Sequence, residues 1–107
     1  MAQYNAKQIL LEYNTDKEIK RFPHSIQKEF VQLIKELAHY GVLKYPNARK
    51  LSGHDLFEMR IKNNGIYRCI YCYTQDSVLL LCAFKKKIQK TPLREIEKAK
   101  KRKQSLI

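Results

Sequence analysis

Acidic residues are scarce in this sequence. Asp and Glu number 10 against 22 Lys and Arg, which leaves a formal net charge of +12 over 107 residues. Such an imbalance bears on partners rather than on fold, and it points to an anion: nucleic acid, an acidic protein or a membrane surface. Long apolar runs are also missing. None approaches the ~20 residues that cross a bilayer, and the N-terminal stretch has no apolar signal segment, so a cytoplasmic protein with no membrane partner is expected. Cysteines are few and odd in number, Cys69, Cys72 and Cys82, which leaves no complete disulfide framework. Cys69 and Cys72 spell C-x-x-C, but a separation of three within a strand sends the side chains to opposite faces. With no second ligand pair following, buried small hydrophobes are the expectation. Gly-rich phosphate loops, zinc-ligand spacings, a Ser-His-Asp constellation and internal repeats are all absent. Asp55 and Glu58 are too few carboxylates to serve a metal-dependent nuclease, so no metal or cofactor is expected.

What is present suffices for one folded domain over 1–107, with 44% hydrophobic and 30% charged residues. Gln8 to Tyr13 holds Ile9, Leu10 and Leu11 and reads as a first strand. Thr15 and Glu18 match a capping box at a helix start, and Pro23 ends that helix near Phe22. Ile26, Phe30, Leu33, Ile34 and Leu37 then form one apolar helical stripe, stopped by Gly41. Val42 to His54 reads as a loop. Leu56 to Lys62 alternates, Asn63-Asn64-Gly65 signals a hairpin, Ile66 to Thr74 returns, and Val78 to Phe84 supplies another strand. The resulting order β-α-α-β-β-β-α describes an α+β fold with helices on one face of a mainly antiparallel sheet.

Two features concentrate charge. Lys85 to Lys103 holds ten Lys or Arg against Glu95 and Glu97. Within it F-K-K-K-I-Q-K-T-P (Phe84 to Pro92) crowds Lys85, Lys86, Lys87 and Lys90 where a strand ends. Thr91 and Pro92 then read as N-cap and first-turn proline of a basic last helix with a thin apolar seam, Leu93, Ile96 and Ala99. The second feature is a matter of register. A three-residue hairpin loop with Gly65 in the left-handed conformation sets Arg60 opposite Arg68, Met59 opposite Cys69 and Ile61 opposite Tyr67. A slip of one residue would put Arg68 on the apolar face. The two arginines then face each other on the exposed side of the sheet. Like charges so placed repel, which suits an anion between them; the plain alternative is that both splay into solvent or pair with Glu58. Tyr67, Tyr71 and Tyr73 fall on the core face, which removes them as base-stacking groups.

With K-L-S-G-H-D-L-F-E-M-R-I-K (Lys50 to Lys62), I-Y-R (Ile66 to Arg68), F-K-K-K-I-Q-K-T-P and E-I-E-K-A (Glu95 to Ala99), the sequence resembles the RelE/ParE superfamily of toxin–antitoxin toxins, most closely its HigB-like, phage-derived Gp49-like branch. The resemblance covers nearly the whole chain. It implies a RelE-like fold and a ribosome-dependent endoribonuclease that cuts mRNA and is neutralised by a cognate antitoxin, in this branch a HigA-like helix-turn-helix protein. Functional basic residues are then expected at Arg60, Arg68, Lys86 and Lys87. Lys50, His54, Lys62, Lys85, Lys90 and Arg94 complete the surface expected to meet RNA and ribosome. Phe57 stands where the family usually has Trp, Ile88 where Thr is common, and the last helix has no Tyr like that of some relatives.

The chemistry implied needs no metal. The RNA's own 2′-hydroxyl attacks the adjacent phosphate, Arg60 and Arg68 grip that phosphate, and Lys86 or Lys87 assists the departing oxygen. His54 has a suitable intrinsic pKa for the base, while Glu58 is base or internal counter-ion. His24 and His39 read as structural. Two other functions remain open on sequence alone: a ParE-like inhibitor of DNA gyrase, and a basic nucleic-acid-binding module.

Overall fold

The structure, a computed structural model, describes residues 7–87 and 90–106; Ile88 lies outside them. Its elements are β1 (Gln8–Leu11), α1 (Tyr13–Lys20), α2 (His24–Tyr40), β2 (Ala48–Lys50), β3 (Phe57–Lys62), β4 (Ile66–Tyr73), β5 (Ser77–Lys86) and α3 (Leu93–Leu106). Five strands make one sheet in the order β1-β5-β4-β3-β2. The β1–β5 pair is parallel and the others are antiparallel. The α+β order expected from the sequence is correct with one addition. The segment read as a loop from Val42 to His54 contains β2, whose three residues are too few to display an alternation.

The α2 stripe behaves as its spacing requires. Ile26, Phe30, Leu33 and Leu37 are buried against Met59, Ile61, Tyr67, Cys69 and Tyr71 of the sheet. Each such side chain contributes roughly 1.5–3 kcal/mol when fully removed from water. Gly41 ends the helix at φ 77°, its N–H donating to the Leu37 carbonyl at 2.8 Å, a left-handed cap that a Cβ would strain. The cap of α1 differs from the expected Thr15–Glu18 box. Glu12 is the N-cap, and its Oε1 accepts the N–H groups of Asn14 at 2.8 Å and Thr15 at 3.0 Å. The helix begins earlier because Glu12 N–H is tied to the Leu80 carbonyl, which turns the chain directly out of β1.

The sheet is covered on both faces, where the sequence suggested one. A second core joins Leu51, Leu56, Ile70, Cys72, Leu79, Leu81, Cys82 and Phe84 to Ile96 and Ala99 of α3. A bulge makes this possible: Tyr71 pairs with Leu80 and Ile70 with Cys82, so Leu81 is the extra residue and both Leu81 and Cys82 reach the α3 side. Leu93, expected in the α3 seam, is exposed. Cys69 lies in the first core and Cys72 in the second, as a spacing of three dictates. All three thiols are free and buried, and burial pushes Cys69 up to about 12, far from reactive thiolate.

Beyond Leu80, β5 has lost its β1 neighbour and presents a bare edge. Side chains close it. Glu18 accepts the Ala83 N–H at 3.0 Å, and Arg102 donates to the Leu81 carbonyl at 3.1 Å while gripping Glu18 with both terminal nitrogens at 2.9 and 3.0 Å. Glu18 is thus an edge clamp rather than a cap. Arg102, expected on the solvated basic side of α3, instead fastens α3 to α1.

Candidate functional site

The hairpin fixes the site. Lys62 pairs with Ile66 across a three-residue loop, and Arg60 pairs with Arg68, as the register argument requires. The left-handed residue is Asn64 at φ 49°, with Gly65 at φ 148°. Gly65 suits its place on two counts: side chains rarely adopt its φ, and a Cβ there would crowd Lys85 Cε at 3.1 Å and Tyr67 Cε1 at 3.2 Å. On β5, Phe84 pairs with Arg68 and Lys86 with Ile66. Arg60, Arg68 and Lys86 therefore share the face opposite the α2 core, and with Arg49 and Lys62 they line a cleft of about 700 Å³.

This face is not open, as the sequence had implied. Glu58 is 0% exposed and Arg68 5%. The segment before α3 crosses here, and Thr91 donates its hydroxyl to Glu58 Oε2 at 2.6 Å. Thr91 is spent on this bond, and Pro92 supplies the carbonyl that accepts the N–H groups of Glu95 and Ile96. Glu58 Oε1 takes Arg49 Nε at 3.0 Å and faces Arg68 Nε at 3.5 Å. Glu58 is thereby the internal counter-ion.

One buried carboxylate does not saturate this cluster. Arg68 Nη1 donates to the Tyr67 carbonyl at 3.1 Å, but the Nε atoms of both Arg60 and Arg68 are buried without a hydrogen-bond acceptor. Burial pulls the Arg68 pKa down; Glu58 opposes this, and Arg60 and Arg49 reinforce it. Lys86, also buried, is lowered by burial first and by Arg68 second, with Glu58 again opposing. The cleft thus presents fixed, desolvated N–H groups with surplus positive charge.

The other sequence candidates lie elsewhere. Lys85 turns to the opposite face, its Nζ 5.7 Å from the Tyr67 ring centroid. Lys87, Lys90 and Arg94 are exposed and outside the cleft lining. Lys50 and His54 line a separate shallow depression formed by residues 50–55. Arg49 and Tyr45 are among the cleft residues that escaped the sequence reading. Arg49 sits opposite Glu58 on β2, and Tyr45 holds its ring centroid 5.6 Å from Arg60 Cζ. Recognising β2 would have revealed the first; only the folded position of the preceding loop reveals the second.

Among the described residues no group of three His, Cys, Asp or Glu is placed to hold a metal ion. None of their helices is long and apolar enough to cross a membrane.

Three helices on a five-stranded, mostly antiparallel sheet with this basic cleft define a protein of the RelE-like fold. A family model described as Phage derived protein Gp49-like (DUF891) matches residues 17–104, and the chain belongs to that family, which is of the RelE/HigB-like toxin kind. Membership makes it a phage-derived toxin of a toxin–antitoxin system and implies a cognate antitoxin. No curated protein matches the chain.

Proposed function

We propose that this toxin is a metal-independent endoribonuclease that cuts mRNA on the ribosome and so stops translation. The observation that carries the proposal is the pair of buried Nε atoms of Arg60 and Arg68, neither hydrogen-bonded, that of Arg68 holding only an ion pair with Glu58 at 3.5 Å. A scissile phosphate supplies the missing acceptors, and its charge increases in the transition state, where these donors gain most. The 2′-oxygen forms a bond to phosphorus, the bond from phosphorus to the 5′-oxygen breaks, and the products carry a 2′,3′-cyclic phosphate and a 5′-hydroxyl. Lys86 is the proton donor to the departing oxygen: a lysine made more acidic by burial gives up its proton more readily. His54 lies outside the cleft, Glu58 is committed to Arg49, Arg68 and Thr91, and Glu29, the carboxylate on the cleft wall, accepts from Asn63 at 2.6 Å. The 2′-proton passes to the surroundings that the ribosome provides. Lys50, His54, Lys62, Lys85, Lys87, Lys90 and Arg94 form the outer surface that meets RNA and ribosome in this account, and a HigA-like antitoxin covers it. The chemistry is tested by the ends of the fragments: recovered from a translating reaction, they carry cyclic phosphate and 5′-hydroxyl, whereas 5′-phosphate ends exclude it.

A further inference from the structure

We propose that Tyr45 is a nucleobase platform at the mouth of the cleft, stacking a base next to the phosphate held by Arg60 and Arg68. The inference rests on the RNA reading above and extends it from phosphate to base.

Tyr45 is 74% exposed. Single exposed aromatics are ordinary on protein surfaces, and Tyr13 and Tyr40 are also exposed. Tyr45 differs in where it stands, because it alone of the three lines the cationic cleft. Its ring lies beneath the guanidinium of Arg60, in a cation–π contact. The loop carrying it is tied to the same arginine, since the backbone N–H of Arg60 donates to the Asn47 carbonyl at 2.8 Å. One residue thus orients both the phosphate-binding guanidinium and the ring. The tyrosines on the sheet lie elsewhere: Tyr67 and Tyr71 are buried in the α2 core, and Tyr73 packs against it outside the cleft lining.

Phosphate contacts position a strand but carry no sequence information and hold no base. RNA-binding proteins commonly splay single-stranded bases onto aromatic side chains. A stacked base strengthens binding and tolerates any sequence. Tyr45 therefore adds affinity and fixes which internucleotide phosphate reaches Arg60 and Arg68, without itself selecting a codon.

The test uses a short single-stranded RNA made uncuttable by 2′-O-methyl groups and carrying 2-aminopurine, whose emission falls on stacking. A second strand has an abasic position in its place. Wild type and Tyr45→Phe bind the first strand and quench it. Tyr45→Ala weakens binding about tenfold, restores the emission, and changes nothing on the abasic strand. Equal affinity and equal quenching in Tyr45→Ala, with binding still weakened by Arg60→Ala, would overturn the platform and leave the phosphate site standing. Wild type that binds neither strand at low salt would overturn the RNA reading and the platform with it.

Discussion

Arg60 and Arg68 are direct partners across β3 and β4, and each buries a guanidinium Nε that makes no hydrogen bond. The strands impose the juxtaposition: a slip of one residue would put Arg68 into the apolar core. Like charges opposite one another cost about 0.2–1 kcal/mol, and each buried unsatisfied donor about 1–3 kcal/mol. An anion held between the two arginines would relieve this burden.

Sulfate or inorganic phosphate should therefore stabilise the protein beyond the effect of chloride at equal ionic strength. An anion at a hundred times its dissociation constant contributes about 2.7 kcal/mol, a rise in Tm of roughly 10 °C for a domain of this size. Thermal melts in the three salts read it. Arg68→Ala should reduce the sulfate response to the chloride level, and an undiminished response would place the anion elsewhere.

Glu58→Gln should be strongly destabilising. Glu58 is fully buried and receives Arg49 and Thr91 while neutralising Arg68, and removing the charge of a buried partner costs about 3–5 kcal/mol. Urea titration measures the loss. Because the substitution leaves the arginines uncompensated, the sulfate-induced rise in Tm should be larger in the variant than in wild type.

Lys86 links stability to pH. Its folded pKa lies below the ordinary 10.5, so over the interval between the two values the unfolded chain binds more protons and stability rises with pH. Lys86→Met should remove that rise. Removal of a proton donor should at the same time lower cleavage about 10²- to 10⁴-fold. Chemical denaturation at pH 7 and pH 10, beside the cleavage rate, separates the two effects.

Arg102→Ala should cost about 2–3 kcal/mol through loss of the two-pronged grip on Glu18 and of the bond to the Leu81 carbonyl. Lysine cannot reproduce the fork, so Arg102→Lys should recover only part of the loss. Hydrogen exchange should locate the damage at the Ala83 amide, whose acceptor Glu18 is then released.

Features encoded locally were legible in the sequence. The α2 stripe spans about three turns and ends at a glycine, and the hairpin register that pairs Arg60 with Arg68 follows from keeping Arg68 out of the core. Features set by distant segments were not. Glu58 reads as a solvent-facing strand residue because Thr91, which covers it, is 33 positions away. The α3 face was hidden because Ile96 and Ala99 alone carry its buried seam. Lys85, Lys86 and Lys87 are indistinguishable in a run of lysines; strand parity sends Lys86 into the cleft and Lys85 to the other face. Glu12 displaced the expected cap because a long-range bond to Leu80 turns the chain one residue beyond β1.

The most direct measurement is primer extension on mRNA from a reconstituted translation reaction, with and without ribosomes, comparing wild type with Arg68→Ala. Cuts that require ribosomes and disappear in the variant are the predicted result. Wild-type cutting that survives unchanged in Arg68→Ala would contradict the phosphate clamp. A wild type that leaves the message intact would contradict the nuclease itself, in favour of a toxin that acts by binding alone.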